Sequence, residues 1–237
     1  MIGPADLGIR LHFDVAFHHA TPHGVVTAVH IPDSAEPVPE SVLSRLPAAE
    51  AAHARTLKGY RQPAFVGGRL ALRKATEQLG QPVTGPILPD ARGTPVLPPH
   101  LAGSISHKRD LAIGMVSSAA HGTVGVDLED YGPPRPSIAE SVLRPEELEA
   151  IAPLPEARRW IAILVRFSIK ESIYKAVDPF VRRYVGFHEA SVEPDLQGSA
   201  RVTLHLANGE GPFAVDARYE WLQGRLLTSV RLRPPTP

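Results

Sequence analysis

The hydrophobic pattern of this chain is most continuous from Trp160 to Val177, Trp-Ile-Ala-Ile-Leu-Val-Arg-Phe-Ser-Ile-Lys-Glu-Ser-Ile-Tyr-Lys-Ala-Val, where no Pro or Gly interrupts it. Apolar residues fall on most sides of a helix drawn through this run, so a helix from about Glu156 to Val177 is expected to cross the middle of the fold. Its C-terminal half nevertheless carries Lys170, Glu171 and Lys175. Charges on a buried helix must be paired, bound to a metal or turned toward a ligand.

Elsewhere the β-branched run Gly24–Ile31 predicts a strand, and the looser alternation over residues 8–17 predicts another. Pro47 suits the first position of a helix reaching Lys58. A second helix covers about Pro63 to Leu79 and stops at Gly80, with Pro82 behind it. On it Arg69 and Arg73 share a face, and Arg61 lies just ahead. Residues 81–100 are rich in turn formers and include Asp90-Ala-Arg-Gly-Thr-Pro95. The runs Leu111–Val116 and Thr123–Glu129 predict a hairpin through His121-Gly122. Ser137 and Arg144-Pro145 open short helices. Strands near residues 190–193, 200–206, 213–220 and 226–232 follow, with Asn208-Gly209 and Gln223-Gly224 as turns. Helices followed by antiparallel strands, twice over, predict an α+β protein of two similar halves.

Composition narrows the function classes. The 237 residues suit one large domain or two smaller ones. Lys+Arg and Asp+Glu are both 25, so no global charge draws the protein to nucleic acid or to a membrane, and an anionic ligand needs a local cluster. Cysteine is absent, which excludes disulfides, thiol nucleophiles and Cys-ligated zinc and fits a cytoplasmic protein. The segment Met1-Ile-Gly-Pro-Ala-Asp has neither a basic nor an apolar leader region, so no signal peptide is expected. No apolar run reaches the roughly 18 residues of a membrane span. The 11 histidines are scattered, and the one His-x-x-x-His spacing, His19 to His23, has Pro22 inside it and does not read as a helical metal-ligand pair.

Asp127 and Glu129, two apart on a strand, share a face. They read either as a strand meeting a solvated loop or as oxygen ligands for a hard cation such as Mg²⁺. Glu171 and Lys175, at i and i+4, read either as a solvated face or as a third carboxylate beside a phosphate-binding ammonium. Ser106-His107 lacks the Gly-x-Ser-x-Gly elbow of a hydrolase. Arg61, Arg69 and Arg73 form either a solvated face or a phosphate clamp. Neither a Walker loop nor Gly-x-Gly-x-x-Gly occurs, which argues against a P-loop or Rossmann nucleotide site.

In order, Ser104-Ile-Ser-His107, Val124-Gly-Val-Asp-Leu-Glu129 and Phe167-Ser-Ile-Lys-Glu-Ser-Ile-Tyr-Lys175 resemble the motif series of the Sfp-type 4′-phosphopantetheinyl transferases, enterobactin branch included. Phe65-Val-Gly-Gly-Arg-Leu-Ala-Leu-Arg73 and Arg182-Arg-Tyr-Val-Gly-Phe187 extend the likeness to about residues 55–190. The resemblance implies two pseudo-symmetric α/β halves, residues 1–121 on the 3′-phosphoadenosine side and 122–237 carrying the metal and the catalytic helix. Coenzyme A, the substrate, would lie in the cleft between them, and one chain would act as a monomer.

The resemblance further implies Mg²⁺ or Mn²⁺ on Asp127, Glu129 and Glu171, with Leu128 contributing through its backbone alone. Arg61, Arg69, Ser106 and His107 would hold the 3′-phosphoadenosine end, assisted by Lys170. Arg92 is the basic residue in the loop where some relatives carry a Lys that grips coenzyme A. Glu171, or a water it orients, would activate the serine hydroxyl of an apo acyl, peptidyl or aryl carrier protein, and Lys175 would stabilise the departing phosphate. Lys170, Glu171 and Lys175 would together form one wall of the cleft, and Arg182-Arg183 would face an acidic carrier. The alternatives are a Mg²⁺-dependent nucleotide phosphohydrolase and a degenerate coenzyme A-binding subunit.

Overall fold

The computed structural model describes residues 12–234. The strand expected over residues 8–17 falls partly outside them. The first described strand, β1, runs Val15–Thr21 and pairs antiparallel with β2, Gly24–His30. Then come α1 (Glu40–Leu43), α2 (Ala48–Thr56), α3 (Arg61–Gln78), β3 (Leu101–His107) and β4 (Leu111–Ser118). The remainder consists of β5 (Thr123–Asp130), α4 (Ala139–Val142), α5 (Pro145–Ile151), α6 (Glu156–Val181), β6 (Ala190–Pro194), β7 (Ser199–Leu204), β8 (Ala214–Leu222) and β9 (Arg225–Arg233). The fold class is α+β, as expected, with two antiparallel sheets ordered β1-β2-β4-β3 and β5-β9-β8-β7-β6.

The expected hairpin between Leu111–Val116 and Thr123–Leu128 does not form. β4 already has both edges occupied, by β2 and β3, so no edge is left for β5, which pairs with β9 in the other sheet. The connection is a 3₁₀ turn at Ala119–His121 instead of a two-residue loop. Gln223-Gly224 is a tight turn, with Leu222 opposite Arg225 and φ of 51° and 80° at its two residues. Asn208-Gly209 sits inside the longer loop between β7 and β8.

The sheets stack face to face, and each carries a long helix on its outer face. Between them Val26, Ala28, Leu111, Ile113 and Met115 of the first sheet meet Val124, Val126, Leu128 and Leu227 of the second. Each large aliphatic buried there contributes about 1.5–3 kcal/mol. On the outer face of the first sheet α3 crosses β4 at Gly114, where a Cβ would stand 2.5 Å from the Leu72 nitrogen. On the second, α6 crosses β5 at Gly125, where a Cβ would meet the Ser172 carbonyl oxygen at 1.9 Å. Glycine in Val-Gly-Val-Asp-Leu-Glu is therefore what lets the long helix lie directly on the strand that carries the two carboxylates.

Strand alternation now has a definite meaning. Leu128 is buried between the sheets, whereas Asp127 faces α6, bonded to its Ser168 and Lys175 side chains. α6 runs one turn beyond the expected Val177. It ends at Arg182, a non-glycine residue in the left-handed region at φ 48°, whose N–H donates to the Asp178 carbonyl. α5 begins as expected, with Pro145 at its first position and the Glu147 carboxylate accepting from the Arg144 N–H at 2.8 Å.

Candidate active site

β3, at the edge of the first sheet, lies alongside β5, at the edge of the second. The join is made by side chains spaced two apart, along β3 and at the residue just beyond its end. Ser104 Oγ accepts from the Val126 N–H at 3.1 Å, Ser106 Oγ donates to Asp127 Oδ1 at 2.8 Å, and Lys108 Nζ reaches Glu129 Oε1 at 2.6 Å. From the helix side, Ser168 Oγ donates to Asp127 Oδ2 and Lys175 Nζ to Asp127 Oδ1, both at 2.8 Å. Lys175 also donates to the Val126 carbonyl. Ser168 belongs to a buried hydroxyl cluster with Ser172 and Thr228.

Asp127 and Glu129 are only 4% and 5% exposed. Burial pushes the Glu129 carboxyl above its ordinary value; the Lys108 ammonium opposes the shift and the Asp127 charge adds to it. Glu171, half-buried, is pushed up by the same desolvation, opposed by Lys175 and reinforced by Asp127. Its carboxylate makes no hydrogen bond or ion pair among the described residues. Among those residues, no three His, Cys, Asp or Glu side chains converge closely enough to cage a metal unaided. Asp127, Glu129 and Glu171 nevertheless fit a hard divalent cation by chemistry: all are oxygen donors, and two have carboxyl pKa values raised by burial and by the Asp127 charge, which a cation would reverse.

Beside this acidic group opens a cleft of about 700 Å³, formed by α2 and α3, the loop 89–95, β3 and α6. Arg61, Arg69, Arg92, His107 and Lys175 all line it, so the structure brings five of the expected basic groups to one cavity. Arg69 is buried, its Nε donating to the Ile87 carbonyl at 2.6 Å and its guanidinium lying 4.4 Å from the Phe65 ring centre. Burial lowers its pKa to about 10, against the pull of Glu50. His107 is held below its ordinary value by burial and by the Lys175 and Lys108 charges. Arg73 lies away from the cleft, held by Glu50 and by the carbonyls of Val83 and Gly85.

Three expectations need correction. Lys170 does not join the cleft wall. It is 3% exposed, and its ammonium donates to Glu147 at 2.5 Å and to the Val142 carbonyl at 2.8 Å. Adjacent helix residues point about 100° apart, so Lys170 faces α5 while Glu171 faces the acidic group. Arg183 is spent internally on Glu189, Glu210 and the Tyr184 carbonyl, leaving Arg182 as the exposed member of that pair. Ser106 bonds to Asp127 and is not among the residues that line the cleft. Sequence reasoning missed Lys108, Ser168 and Asp178. Alternation from Ser104 and Ser106 points to Lys108, and helical spacing from Lys175 points to Ser168 and Asp178.

A model of the 4′-phosphopantetheinyl transferase superfamily matches residues 123–225, and one of the 4′-phosphopantetheinyl transferase N-terminal domain matches residues 49–117. The 4′-phosphopantetheinyl transferase Svp of Streptomyces mobaraensis is 33% identical over 193 residues, 79% of this chain and 76% of that one. PptT of Mycobacterium tuberculosis is 29% identical over 185 residues, 73% of this chain and 79% of that one. Among solved structures, the Chronobacterium ammoniagenes ACPS-CoA complex aligns with 48% of this chain and 98% of its own, at 21% identity and a TM-score of 0.38. With relatives of this identity and coverage, and motifs that fall on the strand and helix bounding the acidic group, the chain belongs to the 4′-phosphopantetheinyl transferase superfamily and is an enzyme of that type.

Proposed function

We propose that this enzyme transfers the 4′-phosphopantetheine group from coenzyme A to a serine hydroxyl of an apo acyl, peptidyl or aryl carrier protein and releases 3′,5′-ADP. The observation that carries the reading is the junction of a basic cleft with a buried acidic group, built from both sheets. Arg61, Arg69 and His107 suit the phosphates of the nucleotide end, since guanidinium groups match phosphate oxygens. On this reading residues 1–121 supply the nucleotide side and residues 122–237 the acidic group. On the same reading one chain carries both and acts as a monomer, and its lack of cysteine fits the cytoplasm.

Asp127, Glu129 and Glu171 would hold Mg²⁺, which when bound would neutralise charge on the pyrophosphate. The protein's own residues do the rest. Glu171, beside Asp127 at the acidic group, is positioned on α6 to take the proton from the carrier serine, directly or through a water it orients. The serine oxygen bonds to the β-phosphorus as the bridge to the 3′,5′-ADP phosphate breaks. Lys175 stands beside Asp127 and lines the cleft, placed to stabilise the leaving phosphate. Most of the catalysis is positioning and charge stabilisation.

Incubation of an apo carrier with coenzyme A and Mg²⁺ should add one phosphopantetheine to the carrier mass. Glu171→Gln should slow this by about 10²–10⁴-fold, and Asp127→Asn should abolish the Mg²⁺-dependent labelling. Wild-type labelling rates in both variants, or release of 3′,5′-ADP without a carrier, would overturn the reading; the second result would indicate a phosphohydrolase.

A further inference from the structure

One wall of the cleft is the loop 89–95, which belongs to the first half of the chain but is anchored on the second. Pro89 and Pro95 form an isolated antiparallel bridge, and Asp90 Oδ1 accepts from the N–H groups of Arg92 at 2.8 Å and Thr94 at 3.0 Å. The loop is therefore a small preformed unit. From its tip Arg92 reaches α6. Its Nε donates to Asp178 Oδ1 at 2.7 Å, and its Nη2 donates to the Tyr174 hydroxyl at 3.3 Å and the Arg183 carbonyl at 3.0 Å. Thr94 Oγ1 donates to the other Asp178 oxygen at 3.4 Å. Asp178 is 6% exposed, so a carboxylate three residues beyond Lys175 is buried with both oxygens committed to this loop.

A buried carboxylate is tolerated only with its charge met, and here the group that meets it arrives from the opposite side of the cleft. We propose that Asp178 is a positioning residue: through Arg92 and Thr94 it latches loop 89–95 onto α6 and so sets the width of the cleft. Arg92 then acts first as the latch and only through it on the ligand, in contrast to the direct grip expected of a basic residue in this loop. The inference rests on the reading that this cleft takes the nucleotide end of coenzyme A. Opening the latch should weaken coenzyme A binding without touching the acidic group, because among the described residues the hydrogen bonds and ion pairs of Asp127 and Glu129 go to Ser106, Lys108, Ser168 and Lys175 and none go to the loop.

The test combines calorimetric titration with coenzyme A and steady-state labelling of an apo carrier. Asp178→Asn is expected to raise both the Kd and the KM for coenzyme A by about 5–10-fold, with kcat held within about twofold and the KM for carrier unchanged. Arg92→Gln should do the same; because it leaves Asp178 without its cation its thermal melt is taken alongside, and Asp178→Asn, which leaves no buried charge, keeps the test independent of folding. The double variant should be no worse than either single one, since both break one latch. Asp178→Glu should restore part of the affinity. The latch is overturned if Arg92→Gln weakens coenzyme A binding while Asp178→Asn leaves it unchanged or tightens it, because Arg92 would then be a direct ligand. It is equally overturned if Asp178→Asn lowers kcat as much as it raises KM. Failure of the wild-type enzyme to bind coenzyme A at all would sink the underlying functional reading instead.

Discussion

α3 and α6 solve the same packing problem with different outcomes. Each is the long helix of its half, laid on the outer face of a sheet, and each crosses its strand at a glycine, Gly114 under α3 and Gly125 under α6. Each also buries charge. On α3 Arg73 is closed off by the fold, held by Glu50 and two carbonyls, while Arg69 donates to the Ile87 carbonyl and still lines the cleft. On α6 the charges divide. Lys170 is closed off in the same way by Glu147, whereas Ser168 and Lys175 converge on Asp127, and Glu171, whose carboxylate makes no hydrogen bond or ion pair among the described residues, faces the same place. Burying a charge on a helix is thus no mark of function by itself. What separates the functional charge from the structural one is whether it is spent wholly on framework partners or still faces the cleft or its acidic group.

The comparison can be broken most directly at Lys170. If it belongs to the framework, Lys170→Met leaves Glu147 buried and unpaired and should cost about 3–5 kcal/mol. A Lys170→Met, Glu147→Leu double variant should regain much of that loss, and the KM for coenzyme A of the folded protein should not change. Denaturant titration and labelling kinetics on the same samples would decide. A stable single variant with a raised KM would return Lys170 to the ligand site.

The glycines offer a smaller and sharper contrast. Gly125→Ala and Gly114→Ala each push a methyl group against helix backbone and should each destabilise by about 1–3 kcal/mol. Only the shift of α6 over β5 moves Lys175 and Glu171 against Asp127. Gly125→Ala should therefore depress kcat well beyond its effect on stability, while Gly114→Ala should leave kcat near wild type. Equal kcat values in the two variants would remove the distinction drawn between the helices.

The smallest expected effect concerns Glu171. Burial raises its carboxyl in the folded protein above the unfolded value of about 4.3, so the native state keeps this proton longer. Ionising it costs stability; that cost is absent below the unfolded pKa and complete once pH passes the folded one. Glu171→Gln should accordingly raise Tm by roughly 2–4 °C at pH 7, with the gain fading toward pH 4. A thermal melt in which the variant gains nothing at pH 7 would show that Glu171 is not held in an unfavourable ionised state.

The sequence alone determined whatever depends on local periodicity. It placed the long helix on Trp160–Val177, the closing strands and the Gln223-Gly224 turn. It set Asp127 and Glu129 on one face of a strand, and it carried the motifs that identify the superfamily. Only the tertiary structure decided which edges pair and which charges meet. Leu111–Val116 and Thr123–Leu128 look like a hairpin by spacing, yet β2 and β3 occupy the edges of β4 and β9 takes β5. Lys170 and Glu171 are neighbours in the chain, yet one faces Glu147 and the other the acidic group. The Ser104, Ser106 and Lys108 series along and just beyond β3, and Asp178 beneath Arg92, acquire roles only when residues far apart in the chain come within hydrogen-bond distance. Periodicity fixes the direction of a side chain within its own element; its partner is fixed by long-range packing, for which a single sequence carries no direct signal.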